Sequence, residues 1–190
     1  FSLDLSETDV TLIPHNQFDS NRFLHEIILP NTLEEIGSEA FINSYIQTFK
    51  FPKTLKSIGE SAFQDSNITG NVILPDSMDF IGSNAFDDCD YLTQVTFPKN
   101  LKSIPAYCFR DCDFLRASPL PEGLVSIEFG AFLGASNFNP RLPKTLTTIG
   151  NHAFQSCATD SLFIPESLTS WSTSNYSNAF SYNIKLVYAE

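Results

Sequence analysis

Three groups of side chains in this chain are of types that do chemistry. Six aspartates, Asp65, Asp87, Asp88, Asp90, Asp111 and Asp113, fall close together in the middle of the sequence. Carboxylate oxygens gathered in this way suit a hard cation. The D-x-[DN]-x-[DN]-G loop that would organise such a site is absent, and a solvated acidic ridge accounts for the same residues. Four cysteines, Cys89, Cys108, Cys112 and Cys157, raise a disulfide or a zinc site. Zinc sites use pairs such as C-x2-C with a second pair at a defined spacing, and Cys108-x3-Cys112 has no such partner. Cys89 and Cys112 could approach one another, but buried, reduced thiols are the expectation. The three histidines, His15, His25 and His152, stand at unrelated positions with no matching Ser, Cys or carboxylate. No catalytic, cofactor-binding or metal-binding residue is therefore assigned, and no enzyme activity or cofactor is expected.

What positions these groups is a repeat. Ala-Phe recurs at Ala40-Phe41, Ala62-Phe63, Ala85-Phe86, Ala131-Phe132, Ala153-Phe154 and Ala179-Phe180, and prolines recur with it at Pro30, Pro52, Pro75, Pro98, Pro121, Pro143 and Pro165. Self-similarity at a period of 22 or 23 residues means stacked coils, each burying its apolar face on its neighbours. Three residues after each proline comes Leu33, Leu55, Met78, Leu101, Leu124, Leu146 or Leu168. Six after it comes Ile36, Ile58, Ile81, Ile104, Ile127 or Ile149, with Trp171 ending the column. Val10, Ile13 and Phe18 keep the same spacing ahead of Pro30, which places a degenerate first repeat near Glu7 and gives about eight coils, starting near residues 7, 30, 52, 75, 98, 121, 143 and 165.

Before each proline the chain alternates, as in Ile27-x-Leu29, Phe49-x-Phe51, Val72-x-Leu74 and Leu162-x-Ile164. Period two with aromatic and β-branched residues predicts a short strand with one buried face. Stacked coils would set these strands side by side in a parallel sheet running the length of the solenoid. Proline closes each strand because it cannot donate to a ladder. Gly37, Gly59, Gly82 and Gly150, just after the Ile column, read as a second turn. The small column Ser44, Ser66, Cys89, Cys112, Ala135 and Cys157 reads as a turn packed on turns, its side chains bonding a neighbouring coil's backbone.

These columns carry a family resemblance. LPNTLEEIGSEAF, FPKTLKSIGESAF, FPKNLKSIPAYCFRDCDFL and LPKTLTTIGNHAFQSC resemble the BspA-like class of leucine-rich repeat over about residues 7–188. The resemblance implies an α/β leucine-rich-repeat solenoid of horseshoe type, mainly β with little helix, forming a single domain over 1–190. A parallel sheet would line one side, with turns or short 3₁₀ segments on the other. It also implies a secreted or cell-surface protein that acts in adhesion to a host or matrix protein or another cell. The shared motif is all core, so it transfers no binding residues.

A ligand would instead be read by the outward strand positions two before each proline, among them Ile28, Lys50, Ile73, Thr96, Arg141 and Phe163. Exposed apolar and cationic side chains there suit a protein or glycan partner. The net charge of −11 leaves no basic stripe for a phosphate backbone, so nucleic acid is excluded as a partner. No apolar run reaches the roughly 20 residues of a membrane span. The opening FSLDLSETDV has no basic head or long apolar stretch, as expected if a leader has been removed or the chain is an excised segment. Asn67-Ile-Thr69 and Asn175-Tyr-Ser177 are glycosylation sequons if the source is eukaryotic. One position after each proline the charge alternates from Lys53 through Asp76, Lys99, Glu122 and Lys144 to Glu166, which predicts cross-coil ion pairs that hold the register. The rival to partner binding is a structural solenoid, a monomeric spacer or a subunit that stacks end to end.

Overall fold

A computed structural model of the chain describes residues 1–116, 118–158, 161–171, 179–180 and 185–188. In chain order the strands are β1 (Ser2–Asp4), β2 (Leu12–Ile13), β3 (Glu26–Ile28), β4 (Glu35–Ile36), β5 (Ser57–Ile58), β6 (Gly70–Ile73), β7 (Phe80–Ile81), β8 (Leu92–Thr96), β9 (Ser103–Ile104), β10 (Ser126–Ile127), β11 (Thr148–Ile149), β12 (Ser161–Ile164) and β13 (Lys185–Tyr188). Every pairing is parallel and joins residues one repeat apart. The chain is therefore a parallel solenoid, and no helix occurs among the described residues. Six full coils run from Pro30 to Ile164, where eight repeats are expected from the sequence. The difference lies at the ends, since Phe18 in the first repeat is only partly buried and part of the last lies outside the described residues.

The core is the stack of Phe18, Phe41, Phe63, Phe86, Phe109, Phe132, Phe154 and Phe180. Successive ring centroids are 5.0 to 5.9 Å apart with planes within 17° of parallel. Offset stacking of this kind is the favoured arrangement for aromatic pairs. Phe49, Phe51 and Phe97 meet the stack edge-on, and Phe138 lies flat on Phe132 at 4.3 Å. A further buried column, Leu24, Ile46, Ile68, Leu92, Leu115 and Phe138, closes the interior beside the small residues.

Three edges of the coil carry hydrogen bonds from one coil to the next, and they differ in continuity. The turn edge is unbroken: Phe18, Phe41, Phe63, Phe86, Phe109, Phe132 and Phe154 each donate their amide to the Ala or Cys carbonyl of the following coil. Flanking bonds, such as Asn43 N to Gln64 O and Asp65 N to Asp87 O, double it. Here the backbone takes positive φ two residues before and two after the Phe, as at Asn84 and Asp88 (56° and 57°). A left-handed residue every few positions breaks any helical run, so this side consists of turns and not 3₁₀ segments.

The Ile edge forms a four-stranded sheet, β2-β4-β5-β7, and a three-stranded one, β9-β10-β11. Elsewhere the residue after the Ile donates back to the preceding Ile, as Gly59 N does to Ile36 O and Glu128 N to Ile104 O. Pro105 has no N–H to give Ile81, and the ladder breaks there. The glycines of this edge open the expected turn, as the bonds from Ala40 N to Gly37 O and Ala153 N to Gly150 O show, but left-handed backbone is not what requires them. None of Gly37, Gly59, Gly82 and Gly150 has positive φ; a Cβ on Gly82 would lie 2.4 Å from the backbone nitrogen of Glu60, so close approach of adjacent coils excludes a side chain.

The strand edge does not run the length of the solenoid as the alternation predicts. Among the described residues it exists as three pairs, β1-β3, β6-β8 and β12-β13, with an isolated bridge between Glu26 and Thr48. Pro119 and Pro140 remove donors from the coils between Thr96 and Ser161. Beside Pro119, the buried Ser118 hydroxyl accepts the Val95 amide at 2.8 Å in place of a backbone carbonyl.

Candidate partner-binding surface

The outward strand positions are solvent-exposed in each coil from Ile28 to Phe163. Strand alternation turns their neighbours inward, so Val72 and Leu74 are buried while Ile73 between them is 60% exposed. Ile28, at the end of β3, is 45% exposed and Phe163, inside β12, is 67% exposed.

Two open concavities gather most of these residues. The first, about 880 Å³, is lined by Lys50, Ile73 and Thr96 over a floor of Phe49, Leu74 and Pro75, with Lys53, Asp76 and Lys99 at one margin. The second, about 660 Å³, is lined by Arg141 and Phe163 over Pro140, Ile164 and Pro165, with Lys144 at the corresponding margin. Ile28 belongs to neither. Of the alternating charges, Lys99 pairs with Asp76, its Nζ at 3.3 Å and its amide donating to Asp76 Oδ1 at 3.0 Å. That amide and the Lys99 charge hold the Asp76 carboxyl below its ordinary range. Four residues after the proline, Lys56 reaches Glu34 at 2.8 Å. Among the described residues Lys53, Glu122, Lys144 and Glu166 form no ion pair. The continuous row of cross-coil pairs expected from the sequence is thus reduced to single contacts, because long exposed side chains gain little by fixing one geometry.

The acidic group lies on the turn edge and has two components. Asp65, Asp88 and Asp111 occupy positive-φ positions, which short polar side chains tolerate. Asp87 is not part of a solvated ridge: it is fully buried and grips Arg110 of the next coil with bonds of 2.8 and 2.5 Å. Burial pushes its carboxyl up to about 6, against the opposing pull of the guanidinium. Arg110 also lies 5.0 Å over the Tyr107 ring. Desolvation followed by neighbouring carboxylates raises Asp65 and Asp90, and desolvation raises Asp111. No cluster of metal-ligating side chains forms among the described residues.

All four cysteines are buried and unbridged. Cys89, Cys112 and Cys157 donate their thiols to the carbonyls of Phe63, Phe86 and Phe132 in the preceding coil, at 3.1, 3.0 and 3.1 Å. Desolvation pushes Cys89 and Cys157 up to about 12. The histidines have separate partners, His15 the Ser38 carbonyl, His25 the amine of Phe1 and His152 the Gln155 side chain. Asn67 is half-buried, and Asn175 lies outside the described residues.

The solenoid is similar to solved bacterial structures. A leucine-rich repeat protein from Bacteroides ovatus superposes with a TM-score of 0.83 at 23% identity, over 98% of this chain and 51% of that one. The leucine-rich repeat protein of T. pallidum gives 0.60 at 32% identity, over 70% and 61%. One from Eubacterium ventriosum gives 0.68 at 18% identity, over 95% and 45%. The chain thus spans between about half and three-fifths of the length of these structures. No curated protein matches it. The family model of the BspA type leucine-rich repeat region matches residues 2–69 and 69–187 in six copies, and the chain belongs to that family.

Proposed function

We propose that the chain is a non-catalytic extracellular or cell-surface interaction module that holds a protein or glycan partner on the outward face of its strand edge. The observation that carries this reading is the exposure of Ile28, Ile73 and Phe163 at the outward position of their strands, two of them over open concavities with cationic rims. Exposed bulk of this kind has no role in the core and is the usual anchor of an interface. Solenoids of this class build extended surfaces from positions their core does not constrain. Family membership supports placement outside the cell and a part in adhesion.

The test compares the chain with an Ile73→Ser, Phe163→Ser double variant for binding to intact cells and to coatings of purified matrix proteins. Equal thermal stability with lost binding is the expected result. Undiminished binding by the variant rejects this face. Light scattering over a concentration series addresses the structural rival, since mass that grows with concentration would favour end-to-end stacking.

A further inference from the structure

The two concavities are the same site written twice. Lys50 and Arg141 stand at the same place in their coils, two before the proline, and Lys53 and Lys144 stand one after it. In the next coil the first pair faces Ile73 and Phe163, again at matching positions, each beside the proline that closes its strand, Pro75 and Pro165. A cation followed one coil later by a large exposed apolar side chain occurs at these two places in the outward row, and a concavity forms at each. Between them the row reads Thr96 and Pro119.

Charge separates these sites from the rest of the molecule. The chain has 11 Lys and Arg against 22 Asp and Glu. The two linings contain five of those cations, Lys50, Lys53, Lys99, Arg141 and Lys144, and one acid, Asp76. A surface that is acidic on average therefore presents two cationic hollows with apolar centres. The complementary ligand carries carboxylates around an apolar group. Phe163 exposes a ring in the second groove, but in the first Ile73 offers no ring face and the Phe49 ring is turned edge-on into the core stack, so a ligand common to both grooves is not one read by sugar stacking.

Resting on the reading of this face as a partner surface, we propose that the two grooves bind the same class of ligand, an acidic polypeptide segment with a large apolar residue at its centre, and hold a partner by two such segments at once. Four coils separate the grooves, and at a parallel strand spacing of nearly 5 Å this places them about 20 Å apart. The second contact is then intramolecular, and the gain comes from effective concentration.

The experiment uses the whole chain and two synthetic probes: an acidic peptide of aspartate and glutamate around a central Leu-Phe pair, and a tandem of two such peptides on a flexible linker able to span 20 Å. The variants are Lys50→Glu with Ile73→Ser in the first groove, and Arg141→Glu with Phe163→Ser in the second. By calorimetry the single peptide should bind at two sites per chain, and either variant should reduce this to one. The tandem peptide should bind the native chain at least tenfold tighter than the single one, and either variant should remove that advantage. Binding at one site, binding indifferent to both variants, or no tandem advantage overturns the proposal. Binding of a sulfated oligosaccharide in place of the peptide, lost in the same variants, also overturns it and assigns the grooves to an anionic glycan. If the variants lose binding to cells or matrix coatings while the peptides never bind, the interaction surface stands and the acidic-segment ligand is rejected.

Discussion

The junction between coils 30–51 and 52–74 and the junction between coils 75–97 and 98–120 are built from the same columns but are joined differently. At the first, the Ile edge is fully laddered, with Lys56 and Ser57 amides on Glu34 O and Gly59 N on Ile36 O, and Thr54 Oγ1 adds a bond to Leu33 O at 2.7 Å. At the second, Pro105 ends the Ile ladder and Asn100 stands in the column of Thr54; among the described residues the strand edge is unpaired at both. What remains there is the turn-edge ladder, one further backbone bond from Arg116 N to Thr93 O, the contact of Phe86 with Phe109, and a set of side-chain bonds. Arg110 clamps the buried Asp87, Cys112 reaches the Phe86 carbonyl, Ser118 takes the Val95 amide, and Lys99 holds Asp76. Backbone bonding at one junction is replaced by side-chain bonding at the other, so the second depends far more on individual residues.

The largest effect should come from the feature both junctions share. Phe86→Ala removes a fully buried ring between two fixed neighbours, and should cost about 3–5 kcal/mol in urea denaturation. A loss below about 1 kcal/mol would mean that the rings are not the main support of the stack.

Arg110→Ala tests the difference between the junctions. It leaves the Asp87 carboxylate buried without its partner, a change that costs about 3–5 kcal/mol when both groups are fully buried. With Arg110 a third exposed, about 2–3 kcal/mol is expected. Amide exchange should accelerate at Phe86 and Asp88 and stay unchanged at Phe41 and Asn43. Equal acceleration at both places would show that the junctions are alike. Thr54→Ala, which removes one side-chain bond from the well-laddered junction, should cost about 1 kcal/mol.

The same clamp sets a pH dependence. Asp87 takes up its proton near 6 when folded and near the ordinary carboxylate value when unfolded. The folded chain therefore binds more protons in that window, and stability through this group should rise as pH falls from 7 toward 4. Asp65, Asp90 and Asp111 are raised in the same direction, whereas Asp4 and Asp76 are lowered and act oppositely. The melting temperature should be higher at pH 5 than at pH 7.5, and Asp87→Asn should flatten that difference. A slope unchanged by the substitution would remove Asp87 from the account.

The smallest effect belongs to the charge row. Lys99→Glu loses one exposed pair with Asp76 and should cost at most about 1 kcal/mol, less in high salt.

The core was readable in the sequence because burial repeats: Leu33, Ile36 and Phe41 recur in every coil, and stacking follows from the period. The outward residues were identifiable by alternation alone, but their grouping was not. Whether Lys50 and Ile73 share a hollow depends on residues from four coils, which no single repeat displays. Asp65, Asp88 and Asp111 were hidden differently. Their column also holds Ser20, Asn43, Gly134 and Ser156, a left-handed-backbone signature, while Glu39, Tyr107 and His152 obscure the matching column before the Phe. Asp87 escaped because its column holds Ile42, Gln64 and Leu133 in other coils, a mixture with no single chemistry until Arg110 is seen beside it.

The interrupted ladder at Pro105 has a mechanical consequence. A solenoid pulled from its two ends loads every junction in series, so it parts at the one with the fewest shared backbone bonds. Tension should first open the chain between residues 97 and 98, leaving two stacks that each keep their own rings. The first hollow lies almost wholly in the leading stack and the second wholly in the trailing one. A partner gripping both would carry part of the pull across the gap, and occupancy would then raise the force at which the chain yields.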